Sequence, residues 1–410
     1  MAYRLVEVEL SKPLPTLLLA SGENGFGIIL RLHGQLVGFK LVPLPGATTL
    51  SSERLAAIVN TETATAVLAV KLDNEFRRAQ PVLNIAERPR LSVVICTKDR
   101  AVRLQRLLSS LEQLAPDARF SKVDVIVVDN ASEDGATRDV VATFPAVEYR
   151  YEPKAGLNFA RNTALRAATG DLIAYLDDDV VVDRDWLSGL ADTWQSCPDA
   201  GGFTGLVLPY KLDTEAQVLF ESRGGFGRGF RRLEYRQVRH GNPLFPVGAG
   251  MLGAGCNMTF DRRLLIELGC FDEALDTGRP LPGGGDLDIF YRVLRSGRTM
   301  VYGPRYAVYH EHRETIEQLR RQYWSWGLGM MAFLVKCVRS DPSLNSIHRR
   351  MVRWWFLDQL KSLAKAIKHM RPRDIGFVLA ELWGGVQGLC GEYDRSQVRI
   401  EAIRSAQPCP

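Results

Sequence analysis

Between residues 90 and 183 the chain alternates short, almost wholly apolar runs with stretches whose apolar residues recur at helical spacing. The runs 91–96 and 123–128 read as strands buried on both faces. Between them, after Thr97-Lys98-Asp99-Arg100, the residues Leu104, Leu107, Leu108, Leu111 and Leu114 share one side of a helix. A further helix leads to a short strand at 147–151. A helix opened by the segment 154–162 ends at Gly170, and the run 172–176 then delivers Asp177-Asp178-Asp179 before a second apolar run. Strands alternating with helices predict an α/β chain with a mostly parallel, doubly wound sheet and helices on both faces.

The flanks have a different rhythm. Residues 3–10 alternate loosely, and 26–31 and 36–42 flank His33-Gly34-Gln35 as two strands of a hairpin. Residues 51–59 combine a serine cap with helical spacing. A small α+β domain over 1–85 is expected, with a linker at 77–89, a catalytic domain over 90–313 and a helical region over 314–410. In that last region Tyr323, Trp324, Trp326, Phe333, Trp354, Trp355 and Phe356 are concentrated. The segment 348–373 sets Arg349, Arg350, Arg353, Lys361, Lys365, Lys368, Arg371 and Arg373 beside Val352, Trp355, Leu360, Leu363 and Ile367. Two readings of this pattern stand. One is a peripheral face for an anionic membrane; the other is a helix packed on the catalytic domain or on the second subunit of a homodimer.

Composition narrows the picture. A chain of 410 residues that is 46% hydrophobic holds one large α/β domain and one or two small ones. A net charge of +5 is too slight to argue for nucleic acid, and no nucleic-acid partner is expected. Seven scattered cysteines with no CxxC pair read as reduced thiols of a cytosolic protein. The N-terminus lacks the apolar core of a signal peptide. No run reaches the ~18 uncharged apolar residues of a spanning helix. The expected location is cytoplasmic, either free or peripheral on the inner face of the cell membrane.

Candidate chemistry begins with the aspartate triplet. Three adjacent carboxylates at a strand end repel one another and call for a counter-charge. A hard divalent cation carrying phosphates supplies one; the competing reading is a solvated acidic turn. Two more polar clusters, 97–100 and 129–135, end the neighbouring strands, where ligands of open α/β sheets bind.

In order, Ser92-Val93-Val94-Ile95-Cys96-Thr97-Lys98-Asp99-Arg100, Val127-Val128-Asp129-Asn130-Ala131-Ser132, Gly156 to Arg161-Asn162, and Asp177-Asp178-Asp179 resemble the family-2 glycosyltransferases of the GT-A fold. Gly253-Ala254-Gly255-Cys256-Asn257, Gly269-Cys270-Phe271-Asp272-Glu273, Gly283-Gly284-Gly285-Asp286-Leu287-Asp288 and Tyr309-His310-Glu311-His312-Arg313 extend the resemblance over about 91–327. It implies a GT-A, Rossmann-like sheet, a nucleotide-sugar donor (UDP or dTDP most often), and transfer with inversion to a glycan, lipid-linked or protein-linked acceptor.

By the same resemblance Asp177 and Asp179 are the outer pair of a DXD motif. Asp179 would ligate Mg2+ or Mn2+, while Asp177 would meet the ribose or metal waters. Thr97, Asp99, Arg100, Asn158 and Asp178 join the nucleotide-binding set. Asp129 would bond the nucleobase, a role that competes with a turn or helix cap. Arg161 would approach the diphosphate unless it is merely solvated. Asp286 would be the general base, with Asp288 as second candidate and a bare helix cap as the competing reading. His310, with His312 as alternate, would complete the metal site or touch the diphosphate.

Two positions depart from the family pattern. Lys98-Asp99 stands in place of Tyr-Asn, leaving the base open, and Gly285 stands where an acidic residue is usual. The glycine-rich segment 248–257 would floor the site. The basic segment 221–239 reads as a mobile loop over an anionic or lipid-diphosphate acceptor, or as a plain solvated loop. Nucleotidyl transfer to a sugar phosphate and a non-catalytic glycan-binding scaffold are the alternative functions.

Overall fold

The computed structural model describes residues 1–62, 64–79, 88–236, 242–278 and 280–406. At the N-terminus, strand β1 (Ala2–Glu9) lies parallel to β3 (Glu23–Leu32), which turns into antiparallel β4 (Gln35–Pro43). The turn is His33-Gly34, both at positive φ (50° and 84°), a two-residue geometry that matches the twist of the strands it joins. Short strands β2 (Leu17–Leu18) and β5 (Thr49–Leu50) pair, and helices α1 (Ser52–Glu62) and α2 (Ala64–Ala79) follow. Phe26, Ile28, Leu30, Val37, Leu50 and Leu55 form a core of their own. The hairpin and first helix are as expected; the parallel pairing of β1 was not anticipated. Most of the expected linker at 77–89 lies outside the described residues.

The large sheet begins with β6 (Arg90–Thr97), followed by α3 (Ala101–Glu112), β7 (Lys122–Asn130), α4 (Ala136–Ala142), β8 (Val147–Glu152), α5 (Leu157–Ala167), β9 (Leu172–Asp177) and β10 (Val180–Val182). Strands β9, β6, β7 and β8 lie side by side in that order, all parallel. Alternate residues enter opposite layers: Val93, Ile95, Val127 and Ala174 pack with Leu104, Leu107 and Leu108 of α3, whereas Val94, Ile126, Val128 and Ile173 pack with Ala160 and Ala164 of α5. Both faces are covered, which is why these strands read as continuous apolar runs.

After α6 (Trp186–Gln195) the sheet grows in mixed fashion through β11 (Gly202–Pro209), β12 (Leu233–Tyr235), β13 (Asn257–Asp261) and β14 (Met300–His310), with α7 (Glu215–Ser222), α8 (Arg262–Glu267) and α9 (Gly285–Arg295) between them. The order is β10-β14-β11-β13-β9-β6-β7-β8, with β13 and β10 antiparallel to their neighbours and β12 pairing β14. The sheet is mostly parallel, as expected. Buried Arg31 of β3 joins it to the N-terminal sheet, bonding Asp183, Glu7 and, at 2.7 Å, the Tyr309 hydroxyl.

Helices α10 (Ile316–Ser340), α11 (Asn345–Lys368), α12 (Pro372–Gln387) and α13 (Tyr393–Ala406) complete the chain. Thr315 and Gln318 form a capping box that fixes the start of α10. A Cβ at Gly327 would lie 2.0 Å from the Glu381 carbonyl oxygen, and one at Gly384 2.0 Å from that of Trp324. Only glycine lets α10 and α12 cross this closely. Met331, Phe333, Leu334 and Cys337 of α10 belong to the main core, so the C-terminal helices are built into the sheet's own layer. The basic segment 348–373 is not one helix, because α11 ends at Lys368 and α12 begins at Pro372.

Candidate active site

The strand register assembles the site. Cys96 of β6 pairs with Asp177 of β9, and Thr97 with Asp129 of β7, so three polar clusters meet at neighbouring strand ends. At the far side β10 pairs β14 with Val180 opposite His310, which carries the histidine to the aspartate triplet. These ends open into a cavity of about 920 Å3, large for a small-molecule site.

The three aspartates have separate surroundings. Asp178 is buried and satisfied within the protein, accepting from Thr97 Oγ1 at 2.7 Å and Arg100 Nη1 at 2.8 Å. Asp177 lines the cavity 4.0 Å from Arg161, and desolvation, with the Asp179 charge beside it, raises its carboxyl above the usual carboxylate range. Asp179 is buried with Arg100 at 3.6 Å and Arg313 at 3.8 Å from Oδ2, while its Oδ1 has no hydrogen-bond partner.

His310 Nε2 stands 3.3 Å from that unpartnered oxygen. Behind it, His310 Nδ1 meets His312 Nδ1 at 2.9 Å, and His312 Nε2 meets Glu221 Oε1 at 2.6 Å. With both imidazoles neutral, the chain of donors and acceptors sets the protons. The Glu221 carboxylate accepts, so His312 Nε2 donates and its bare Nδ1 accepts from His310 Nδ1–H. His310 Nε2 is then left with a lone pair facing Asp179 Oδ1. Burial holds His310 well below the usual imidazole range, so the ring is neutral. Two acceptors facing each other at 3.3 Å with no proton between them suit a divalent cation. No group of three or more His, Cys, Asp or Glu side chains poised for a metal occurs among the described residues. Asp179 and His310 therefore offer two ligands, leaving most of a coordination sphere to phosphate and water oxygens. His312 lies behind His310, away from the triplet.

Asp129 is buried, its Oδ2 accepting from the Tyr149 hydroxyl at 2.9 Å and its Oδ1 without a partner. Asp99, at φ 54°, accepts from Glu133 N at 3.0 Å and so ties the β6 loop to the β7 loop. Asn158 donates to the carbonyls of Asp272 (2.8 Å) and Leu275 (3.0 Å), holding the segment ahead of α9. Arg161 is buried and engaged, its Nη1 3.1 Å from both Asn158 Oδ1 and Asp276 Oδ2.

The two candidates for general base are separated by the helix. Asp286, in the first turn of α9, lines the cavity, and Gly255 packs beside its carboxylate; the carboxylate accepts from Leu287 N at 2.8 Å. Asp288 is buried away from the cavity between Arg292 and Lys336, each at 2.7 Å. Gly283 and Gly284 (φ 156° and 98°) bring their backbone against Gly329 of α10, so these glycines serve helix packing as well as the cavity edge.

The segment 221–239 begins in α7, includes β12 and borders the cavity. Phe226 packs edge-on to His310, ring centroids 5.0 Å apart, and Arg228 donates to the Gly250 carbonyl at 2.8 Å. Both side chains line the cavity, and β12 ties the segment to β14; residues 237–239 lie outside the described residues. Sequence reasoning also passed over Asp276, Arg313, Trp326, Trp355 and Glu381, all of which line the cavity. Of these, Arg313 carried a signal by following the two histidines, and Trp326 and Trp355 only as members of the aromatic-rich C-terminal region. Six cysteines are free, as expected, and Cys409 lies outside the described residues.

Comparison with known proteins gives two family models, one described as glycosyl transferase family 2 over residues 92–250 and one as glycosyl transferase family group 2 over residues 172–381. The glucosyl-dolichyl phosphate glucuronosyltransferase of Haloferax volcanii is 25% identical over 294 residues, 67% of this chain and 87% of that one. The pre-mycofactocin glycosyltransferase of Mycobacterium tuberculosis is 26% identical over 257 residues, 62% of this chain; the match spans about half (49%) of that relative's length. The succinoglycan biosynthesis protein ExoM of Rhizobium meliloti is 27% identical over 58% of this chain and 72% of its own. Among solved structures, a mannosyltransferase from Pyrobaculum calidifontis in complex with GDP-Man and Mn2+ is similar at 20% identity and a TM-score of 0.46, covering 86% of this chain and 93% of that one.

Proposed function

The chain belongs to the family-2 glycosyltransferases and is an enzyme of the GT-A fold, and on that footing we propose a metal-dependent, inverting transfer from a UDP- or dTDP-sugar to a hydroxyl of a glycan or lipid-linked acceptor. The observation that carries this reading is the bare His310 Nε2 facing the unpartnered Asp179 Oδ1 in the cavity that also holds Asp286.

Asp179 and His310 would hold Mg2+ or Mn2+, which supplies Lewis-acid neutralisation of the departing diphosphate. Arg100 and Arg313, both beside Asp179, add fixed positive charge at that end of the cavity. Asp178 keeps Arg100 and Thr97 in place. Asp177 would meet the ribose, and the free Oδ1 of Asp129 would accept from a base N–H. Arg161, neutralised by Asp276, acts by positioning the loop that carries Asp286. Asp286 takes the acceptor's hydroxyl proton as its oxygen attacks the anomeric carbon and the bond to the diphosphate oxygen breaks. Asp288, already paired with Arg292 and Lys336, would hold α9 in place. The test is Asp286→Asn, which should bind donor normally and fail in transfer.

The same reading treats residues 90–313 as the catalytic unit and 1–85 as an accessory module, with α10–α12 supplying a wall of the site. We also propose that the outer faces of α11 and α12 rest on an anionic membrane. No helix among the described residues is long and apolar enough to cross one. Half of the large apolar side chains exposed among the described residues fall between 354 and 389, including Trp354, Leu357, Leu360, Leu379 and Trp383. On α11 they are interleaved with exposed Arg350, Arg353, Lys361, Lys365 and Lys368. Such a face repels a second copy of itself and attracts acidic headgroups. Co-sedimentation with phosphatidylserine vesicles, absent with phosphatidylcholine alone, would support it; equal recovery with both would not.

A further inference from the structure

The cavity has two halves of opposite character. Its cationic side chains, Lys98, Arg100, Arg161, Arg228 and Arg313, come from the β6 loop, α5, and the segments after α7 and β14. The wall contributed by α10–α12 comprises Gln322, Ser325, Trp326, Met330, Trp355 and Glu381 with Gly329, and contains no lysine or arginine. An anionic group placed there would meet Glu381 and no cation.

The wall is built by close packing. Gly327 and Gly384 let α10 and α12 cross, and the Trp355 ring of α11 occupies the space above Gly385, where a Cβ would lie 2.6 Å from it. Glu381 is one helical turn before Gly385, so carboxyl and indole share one face of α12. Gly329 abuts Gly283 and Gly284, which sets this wall against the loop leading into Asp286. Gln359 bonds the Glu381 carboxyl, and no salt bridge reaches it among the described residues. Burial raises this carboxyl to about 7. Arg223 acts on it only at longer range, so Gln359 is its direct partner and the carboxyl keeps hydrogen-bonding capacity for a ligand.

Two indoles, a carboxyl, an amide and a hydroxyl, with no cation, fit a neutral, many-hydroxyl ligand with apolar C–H faces. Resting on the glycosyltransferase reading of the cavity, we propose that the α10–α12 wall is a subsite for an uncharged glycosyl residue of the acceptor, seated against Trp326 and Trp355 and hydrogen-bonded by Glu381 and Gln322. The acceptor would thus reach Asp286 as a saccharide hydroxyl, and any phosphate it carries would lie elsewhere.

The test uses the full chain with Mn2+ and saturating nucleotide, and reads saturation-transfer NMR from the methyl glycosides of glucose, mannose and galactose. At least one should receive saturation from the protein. Glu381→Gln, which keeps the shape and the Gln359 bond, should weaken that binding about tenfold, and Gln322→Ala by a few-fold. Binding unchanged in Glu381→Gln overturns the subsite, as does the absence of binding by all three glycosides to protein that binds nucleotide. Nucleotide binding followed in the same samples separates the failures, because its absence contradicts the glycosyltransferase chemistry itself.

Discussion

Asp276 Oδ2 accepts a hydrogen bond from Gly285 N at 3.1 Å and fills the space a side chain at 285 would need. A Cβ built there would lie 2.2 Å from that oxygen and 2.6 Å from Asn158 Nδ2. Glycine precedes Asp286, and a carboxylate from another loop occupies the space beside it. Gly285→Ala should therefore destabilise the fold by about 1–3 kcal/mol through overpacking. Urea denaturation measures it; an unchanged midpoint would mean that Asp276 moves aside freely.

Asp286 and Asp288 predict opposite phenotypes. Asp288→Asn leaves Lys336 and Arg292 short of a buried partner and should cost about 3 kcal/mol or more of stability. Asp286→Asn should leave stability nearly unchanged and reduce turnover about 10²–10⁴-fold. Denaturation and transfer assays on both variants decide. Loss of turnover without loss of stability in Asp288→Asn would reverse the assignment.

Glu221 reaches the proposed metal site through His312. Glu221→Ala frees the His312 proton and with it the tautomer of His310, and should weaken Mn2+ binding about 10–100-fold. Glu221→Gln keeps an acceptor and should recover most of the loss. Electron paramagnetic resonance of free Mn2+ in the presence of nucleotide measures both. Equal affinity in all three proteins would remove Glu221 from the relay.

Burial raises Glu381 from 4.5 to about 7. Between those values the folded chain holds a proton that the unfolded chain has released, so stability falls as pH rises through this window and is flat outside it. Glu381→Gln removes the effect. Relative to the parent it should gain at most about 3 kcal/mol above pH 7, and the gain should vanish below 4.5. Denaturation at pH 4 and pH 8 checks the sign; a gain at pH 4 that is lost at pH 8 would contradict it.

The parallel half of the sheet was legible because strands covered on both faces leave continuous apolar runs, and β6, β7 and β9 each end in a polar cluster that their register brings together. The choice of His310 over His312 needed the pairing of β10 with β14, a contact across 130 residues. The family resemblance places Asp286 ahead of Asp288, and the local pattern does not separate them, since both fall in the first turn of α9; about 200° of helical rotation points one into the cavity and the other into a salt bridge. Asp276 and Glu381 left no trace in the local pattern, and Trp355 stood out only as one of a run of aromatics. They reach the site through glycine contacts between distant helices and loops, and a lone glycine does not say what it lets approach.

The most direct measurement is calorimetric titration of UDP, dTDP and GDP into the purified chain, each with and without Mn2+. One nucleotide should bind tightly, and only with the metal, as expected if Asp179 and His310 share a cation with its diphosphate. Binding that is indifferent to Mn2+, or no binding of any of the three, would contradict the metal-assisted transfer proposed for this site.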